Sequence, residues 1–180
     1  KAFLTLLRTS SYEHITIQDI ADEAVINRNT FYLHYTDKED LMHQLTSEAL
    51  NHLGTLLPED KVNLFDQENI RSLIKEVLNA IQKDRDFYHI MMDNSGSSFF
   101  NETFKLFLKS HMYISIIGAD YSKSNISADA QTQIYLEFIL SGFVGLTRYC
   151  FKEGIDLSTS QVTELIFTLI YGNTLSILNA

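Results

Sequence analysis

Residues 15–42, ITIQDIADEAVINRNTFYLHYTDKEDLM, contain two short helical patterns separated by three residues. In the first pattern, apolar residues recur at the spacing that places them on one face of a helix. They are Ile17, Ile20, Ala21 and Ala24. The second predicted helix runs from Arg28 to about Leu33 and has little apolar surface to bury. Two short helices joined by such a turn are typical of the helix-turn-helix motif.

Local signals predict where these two helices begin. Thr16 with Asp19 three residues later matches a capping box, and Asn27 suits the N-cap of the second helix. Phe31 is predicted to face inward and hold the second helix down, and Tyr35 is predicted to lie in the core. The outer side of the second helix is therefore polar.

A polar outer face is what a helix in the major groove of DNA requires, because donors and acceptors there read base edges. The side chains predicted to point outward are Arg28, Asn29, Thr30, Tyr32 and His34. Other interpretations of these residues remain open. Arg28, Asn29 and Thr30 could form an ordinary solvated helix turn. Tyr32 could pack on the first helix, and His34 could cap its own short helix.

The whole stretch resembles the DNA-binding signature of the TetR family of transcriptional regulators. Its matching parts are a T-I-x-D-I-A-x-E-A helix, a T-F-Y-x-H-Y helix and a D-K-E-D-L helix start. The resemblance covers roughly the first 45 residues, and the rest of the chain matches only in outline. It implies an all-α protein, with a three-helix helix-turn-helix domain at residues 1–45. A larger helical domain for effector binding and dimerisation follows at residues 46–180.

The resemblance also implies which side chains contact double-stranded DNA. Base contacts are implied for Arg28 and Asn29, and Thr30 could touch a base or a thymine methyl group. Backbone contacts are implied for Thr16, Tyr32 and His34, and Lys38 would bind phosphate as a point charge.

Two departures from the family pattern bear on DNA binding. The turn between the helices has Val25 where glycine is usual, and a β-branched residue resists the left-handed backbone that suits glycine. The basic N-terminal arm of the family is not visible in this chain. Residues 1–45 contain four Lys or Arg and seven Asp or Glu, a net charge of −3 within a total of −9. Any DNA contact therefore depends on a few well-placed side chains.

Apolar residues at helical spacing continue to about Leu178, with a break predicted at Asp93–Ser98 and a polar loop at Asp120–Asn125. Phe87–Met92 either continues the fifth helix or forms a short sixth one. Ser158 with Gln161 predicts a second capping box. A subset of these residues could line an apolar effector pocket instead of an ordinary core. It comprises Met91, Phe104, Phe107, His111, Tyr135 and Phe138.

The last two predicted helices carry glycines in their interiors, and an interior glycine costs about 1 kcal/mol relative to alanine. Such glycines usually mark a close approach between helices, so these two helices are predicted to form a four-helix bundle with a second copy. The interface residues predicted are Gly142, Gly145, Leu165, Leu169 and Gly172. Tight packing within one chain is the alternative.

Other classes of protein find little support. Cys150 is the one cysteine, so no internal disulfide is possible, which suits a reducing cytoplasm. No apolar run reaches the length of a membrane span. Glu39 with His43, and Glu48 with His52, have a spacing that can hold a metal but that is common by chance. No catalytic constellation, cofactor motif or metal site is predicted.

The sequence therefore predicts a cytoplasmic homodimer that binds a palindromic operator, as a repressor released by a small apolar effector. Two alternatives remain. The regulatory input could be a protein partner instead of a small molecule, or the chain could be a helical protein that has lost DNA binding.

Overall fold

A computed structural model describes residues 1–57, 66–93, 97–117, 130–153, 155 and 158–177, with the backbone alone at positions 93, 97, 112–117, 131, 132, 135 and 170–177. These residues form α-helices and include no strand. The helices are α1 (Ala2–Leu7), α2 (Ile17–Glu23), α3 (Arg28–Tyr32), α4 (Lys38–Gly54), α5 (Gln67–Lys83), α6 (Arg85–Asp93), α7 (Ser97–Ile117), α8 (Ala130–Lys152) and α9 (Thr159–Ile177). A single 3-10 turn, Tyr12–His14, joins α1 to α2.

Helices α1, α2 and α3 pack together as a three-helix unit. Its interior is formed by apolar side chains that are at most 4% exposed, from all three helices and from the segment before α2. They are Phe3, Leu7, Ile15, Ile20, Ala21 and Phe31. The predicted inward position of Phe31 is therefore confirmed, and Tyr35 packs on its ring at 5.3 Å between centroids.

Helix α4 connects the three-helix unit to the remainder of the chain. Asp37 caps its start by accepting a hydrogen bond from the Asp40 amide. At its other end, a Cβ built on Gly54 would lie 3.6 Å from the Phe107 ring and 3.7 Å from the His111 ring, which are both on α7. Since α4 is about 24 Å long at 1.5 Å per residue, it spans from one part to the other.

The larger part is a bundle of α5 to α9, in which α5 packs most extensively along α9. Arg71 on α5 lies 3.8 Å above the centre of the Phe167 ring and 3.2 Å from Glu164, which are both on α9. Helix α6 is separate from α5, because the backbone at Asp84 leaves the helical region with φ −111° and ψ 37°. None of the described helices combines the length and the apolar character of a membrane span.

Some predictions fall where the structure gives no description. The loop predicted at residues 120–125 lies outside the described residues, and so do residues 94–96 of the break predicted at residues 93–98. Of the rest of the break, Asp93 is the last residue of α6, and residues 97–98 begin α7.

Candidate nucleic-acid interface

The start of α2 is held by the predicted capping box. The Thr16 hydroxyl donates to Asp19 Oδ2 at 2.7 Å and accepts from the Asp19 amide at 3.2 Å, while the Thr16 amide donates to the same carboxylate at 2.8 Å. The bonds from the Thr16 hydroxyl and then from its amide lower the pKa of Asp19. The exposed Thr16 hydroxyl, which is predicted to contact phosphate, is thus engaged within its own helix start.

The turn after α2 has the shape that glycine would give it, although the residue is Val25. The Ile26 amide donates to the Ala21 carbonyl at 2.9 Å, and the Val25 amide donates to the Asp22 carbonyl at 3.1 Å. These two bonds form a Schellman motif, which requires a left-handed residue after the helix. Val25 supplies it with φ 56°. Its side chain is 90% exposed, so no burial offsets the strain.

Helix α3 is short and presents its polar side to solvent. Asn27 caps it by accepting from the Asn29 amide at 2.8 Å, as predicted, and Phe31 beneath it is 2% exposed. Arg28, Asn29 and His34 are exposed, and Thr30 is half-buried.

Two further features of α3 concern its aromatic and apolar side chains. Arg28 Nη2 donates to the Tyr32 hydroxyl at 2.9 Å, and its guanidinium lies 5.5 Å from the centre of that ring. Leu33, which the sequence analysis did not single out, is 80% exposed. Leu33 lies four residues after Asn29, so both side chains lie on one face of the helix. This spacing in the sequence could have identified Leu33 as part of the exposed face.

Lys38, the remaining residue predicted to contact DNA, is half-buried, whereas Arg28 and Asn29 are exposed. Its Nζ donates to the Tyr12 carbonyl at 2.7 Å and to the Ile15 carbonyl at 2.9 Å. The same Nζ lies 4.2 Å from the centre of the Tyr12 ring. Burial and then a hydrogen bond to Glu39 raise the pKa of Tyr12, so this ring stays neutral beneath the ammonium group.

The side chains predicted to line an effector pocket differ in their exposure. Phe138 is 72% exposed on α8. Phe104 is fully buried and stacks on Phe100 at 6.0 Å, and Met91 is 2% exposed, so both are core residues. Phe107 and His111 contact each other at 4.2 Å beside Gly54. The side chain of Tyr135 lies outside the described atoms.

Cavities also lie at other places among the described residues. One, of about 60 Å³, lies beside Cys150, whose pKa is raised by burial. Another is an open groove of about 620 Å³ between α1 and the start of α6. The Arg8–Asp86 ion pair, 3.1 Å long and exposed, lies at this groove. Among the described residues no group of three metal-ligating side chains occurs.

Helix α8 has an exposed stripe of apolar and small residues, which we call the α8 stripe. It consists of Ile134, Phe138, Gly142, Gly145 and Tyr149. At 3.6 residues per turn these positions span about 80° of the helix circumference. No described atom lies within 4 Å of a Cβ built on Gly142 or Gly145, so packing within the described chain requires neither glycine.

The remaining interface predictions concern α9. Leu165 and Leu169 are about half exposed and lie one helical turn apart. Gly172 lies in the last part of α9, residues 170–177, where only the backbone is described.

Two family models match the chain. One, described as "Bacterial regulatory proteins, tetR family", matches residues 2–45, and one described as "Transcriptional regulator C-terminal region" matches residues 68–172. The chain belongs to the TetR family. The predicted family and the all-α fold class are confirmed, and the family consists of transcription regulators, not enzymes.

Individual relatives are distant. The uncharacterized HTH-type transcriptional regulator YxbF of Bacillus subtilis (strain 168) is 26% identical over 108 residues, 58% of this chain and 28% of that protein. The chain thus spans little more than a quarter of the length of this relative. The dihydroxyacetone kinase operon activator DhaS has a similar fold, with a TM-score of 0.56 at 18% identity over 95% of this chain and 90% of that one. A TetR-like transcriptional regulator from Rhodococcus sp. RHA1 has a TM-score of 0.58 at 16% identity over 94% and 90%.

Proposed function

We propose that this TetR-family protein is a sequence-specific regulator of transcription that reads double-stranded DNA with α3. The observation that carries the proposal is the geometry of α3. Its base-reading candidates Arg28 and Asn29 are exposed, while Phe31 fixes the helix from behind. A polar helix face held rigidly at the surface is suited to the major groove, whose width admits one helix.

The side chains of α3 match distinct base edges. The Arg28 guanidinium has further N–H donors besides the one bonded to the Tyr32 hydroxyl. A guanidinium pairs best with guanine. Asn29 suits adenine, and the exposed Leu33 beside it suits a thymine methyl group. Tyr32, Thr30, His34 and Thr16 would add contacts to the bases or to the backbone.

We further propose that two copies bind a palindromic operator through an interface formed by α8 and α9. The α8 stripe supports this proposal, because a Cβ at Gly142 or Gly145 meets none of the described atoms within 4 Å, and Ile134 and Phe138 expose apolar surface. Exposed apolar surface of this kind typically marks an interaction site. Half-sites would then lie about one helical turn or more apart, at least roughly 34–36 Å.

The regulator is proposed to act as a repressor that an effector releases. Small-molecule sites typically enclose roughly 300–1,000 Å³. The cavity beside Cys150 is far smaller, whereas the groove between α1 and α6 has a volume in this range but is open to solvent on one side. A ligand in this groove would contact the three-helix unit and the larger part together, and could thereby change the separation of the two copies of α3.

A protein partner is a second candidate for the regulatory input. The observation that favours it is the solid packing of Met91 and Phe104, which were expected to line an apolar pocket. A thermal shift with small apolar or acidic metabolites favours the effector. Capture of one defined protein, with no such shift, favours the partner.

The proposed DNA binding is tested by selecting duplexes from a random library with the full-length natural protein. Recovery of a two-fold symmetric consensus is the expected result, with the preference at one position of each half-site relaxed in Asn29→Ala. Recovery of no consensus by the wild-type protein would reject the proposal. Increased transcription of the neighbouring genes after deletion of the gene would support a repressor, and decreased transcription would reject that role.

A further inference from the structure

The ammonium group of Lys38 is surrounded by the protein itself. Two of its three N–H groups donate to the carbonyls of Tyr12 and Ile15, and the Tyr12 ring lies against it at 4.2 Å. We call this set of contacts the Lys38 bridge. A phosphate at Lys38 would have to share an ammonium group that already has these partners.

The Lys38 bridge fixes the segment that leads into α2. Tyr12 and Ile15 are the first residue and the C-cap of the 3-10 turn between α1 and α2. Ile15 is 3% exposed and directly precedes Thr16, the N-cap of α2. The bridge therefore joins the first residue of α4 to the segment that directly precedes α2.

This connection has a consequence for α3. Helix α2 packs on α3, and the turn that joins them is closed by the Schellman motif at Val25. If the start of α2 shifts relative to α4, the base-reading end of α3 shifts with it. Base contacts fail when their hydrogen-bond distances change by a few tenths of an ångström to one ångström.

We propose that Lys38 is a positioning residue for DNA binding, which sets the placement of α2 and α3 through Tyr12 and Ile15, and is not a phosphate ligand. This inference rests on the proposed DNA binding for its functional part. The structural part stands on the Lys38 bridge alone.

Two substitutions at this position separate the two roles. Lys38→Met keeps the aliphatic stem and removes the ammonium group. Lys38→Arg keeps the charge but replaces a compact ammonium with a planar fork that does not fit the same two carbonyls and ring. Lys75→Met on α5 is the matched control, because it removes an exposed lysine from the larger part.

The first readout is hydrogen exchange of the backbone amides of residues 12–20 in the protein without DNA. We expect exchange there to be on the order of tenfold faster in Lys38→Met, with α5 to α9 and the Lys75→Met control unchanged. Unchanged exchange at residues 12–20 would overturn the proposal, whatever the DNA data show.

The second readout is affinity for a 30-base-pair duplex from upstream of the gene, across salt concentrations and at a temperature where all variants are folded. We expect Lys38→Met and Lys38→Arg both to weaken binding, on the order of tenfold for Met, with the wild-type salt slope. A phosphate contact would instead reduce the slope by about 0.9 per protomer in Lys38→Met, and Lys38→Arg would bind like wild type. That result would overturn the proposal, and so would unchanged affinity in both variants.

The two proposals can fail separately. If the wild-type protein binds no duplex while exchange at residues 12–20 rises in Lys38→Met, DNA binding is rejected and the structural role of the bridge is supported.

Discussion

At the scale of single residues, Val25 combines a left-handed backbone with a β-branched side chain. The clash of Cβ with the neighbouring carbonyl costs roughly 1–2 kcal/mol in this region. Because the side chain is 90% exposed, it recovers nothing by packing. The sequence departs from the usual glycine here, and the structure shows that the turn keeps its shape and carries the strain.

We therefore predict that Val25→Gly raises the free energy of unfolding by about 0.5–1 kcal/mol. Relief of the clash is partly offset by the greater entropy of glycine in the unfolded chain. Urea denaturation measures this change, and Val25→Ala is the control, since alanine keeps the Cβ and should gain little. A glycine variant less stable than wild type would show that the valine makes a favourable contact.

Arg28 and Asn29 are expected to set sequence preference. Replacing either by alanine should reduce discrimination against single base-pair changes at one operator position by about 1–3 kcal/mol. The measurement is the ratio of dissociation constants for operator and variant duplexes at fixed salt. Arg148→Ala, at an exposed position on α8, should leave the ratios unchanged. Unaltered ratios in both α3 variants would mean that these side chains do not read bases.

At the scale of helices, the sequence predicted best the features that depend on residues two to four apart in the chain. The capping boxes at Thr16 and Ser158 and the cap at Asn27 formed as expected, because each needs only a hydrogen bond within one turn. The sequence left open whether α6 is separate from α5, since no glycine or proline marks the break at Asp84.

The inward contacts of Lys38 were equally beyond prediction. Its partners Tyr12 and Ile15 lie more than 20 residues away in the sequence. Such a contact depends on tertiary packing that no local pattern records. The exposed face of Phe138 was missed for a related reason, because α8 has apolar residues both inside and outside.

The capping box of α2 predicts a dependence of stability on pH. Since the folded state lowers the pKa of Asp19 below its ordinary 3.8, the ionised carboxylate stabilises the fold at higher pH. That contribution is complete above the unfolded pKa and is lost as the pH falls through the folded one. Urea denaturation between pH 6 and pH 2 should therefore show a shallower loss for Asp19→Asn than for wild type.

Asp40 supplies the comparison for this experiment. Its pKa is lowered in the same direction, first by the Thr36 amide, so Asp40→Asn should also flatten the curve. Equal acid sensitivity in wild type and both variants would mean that neither carboxylate is stabilised by folding.

At the scale of the whole molecule, the α8 stripe decides whether two copies can associate as proposed. Gly142 and Gly145 were recognised from the sequence, because glycine inside a helix needs a reason. The structure adds that no described neighbour within the chain supplies that reason.

We predict that Gly145→Leu leaves the protomer folded but separates the dimer. Position 145 is exposed and a Cβ there meets no described atom within 4 Å, whereas a leucine would hold a second helix away from α8. Analytical ultracentrifugation gives the association state, and circular dichroism confirms that the helices are retained. Asn79→Leu, on the exposed side of α5, is the control and should remain dimeric. A dimeric Gly145→Leu protein would place the interface elsewhere.

The most direct test is a fluorescence anisotropy titration of the full-length natural protein with the upstream duplex and with a scrambled duplex of the same composition. DNA reading by α3 predicts binding of two protomers per duplex, with a preference for the upstream sequence of roughly 10³-fold or more. Equal affinity for the two duplexes at every salt concentration would contradict it.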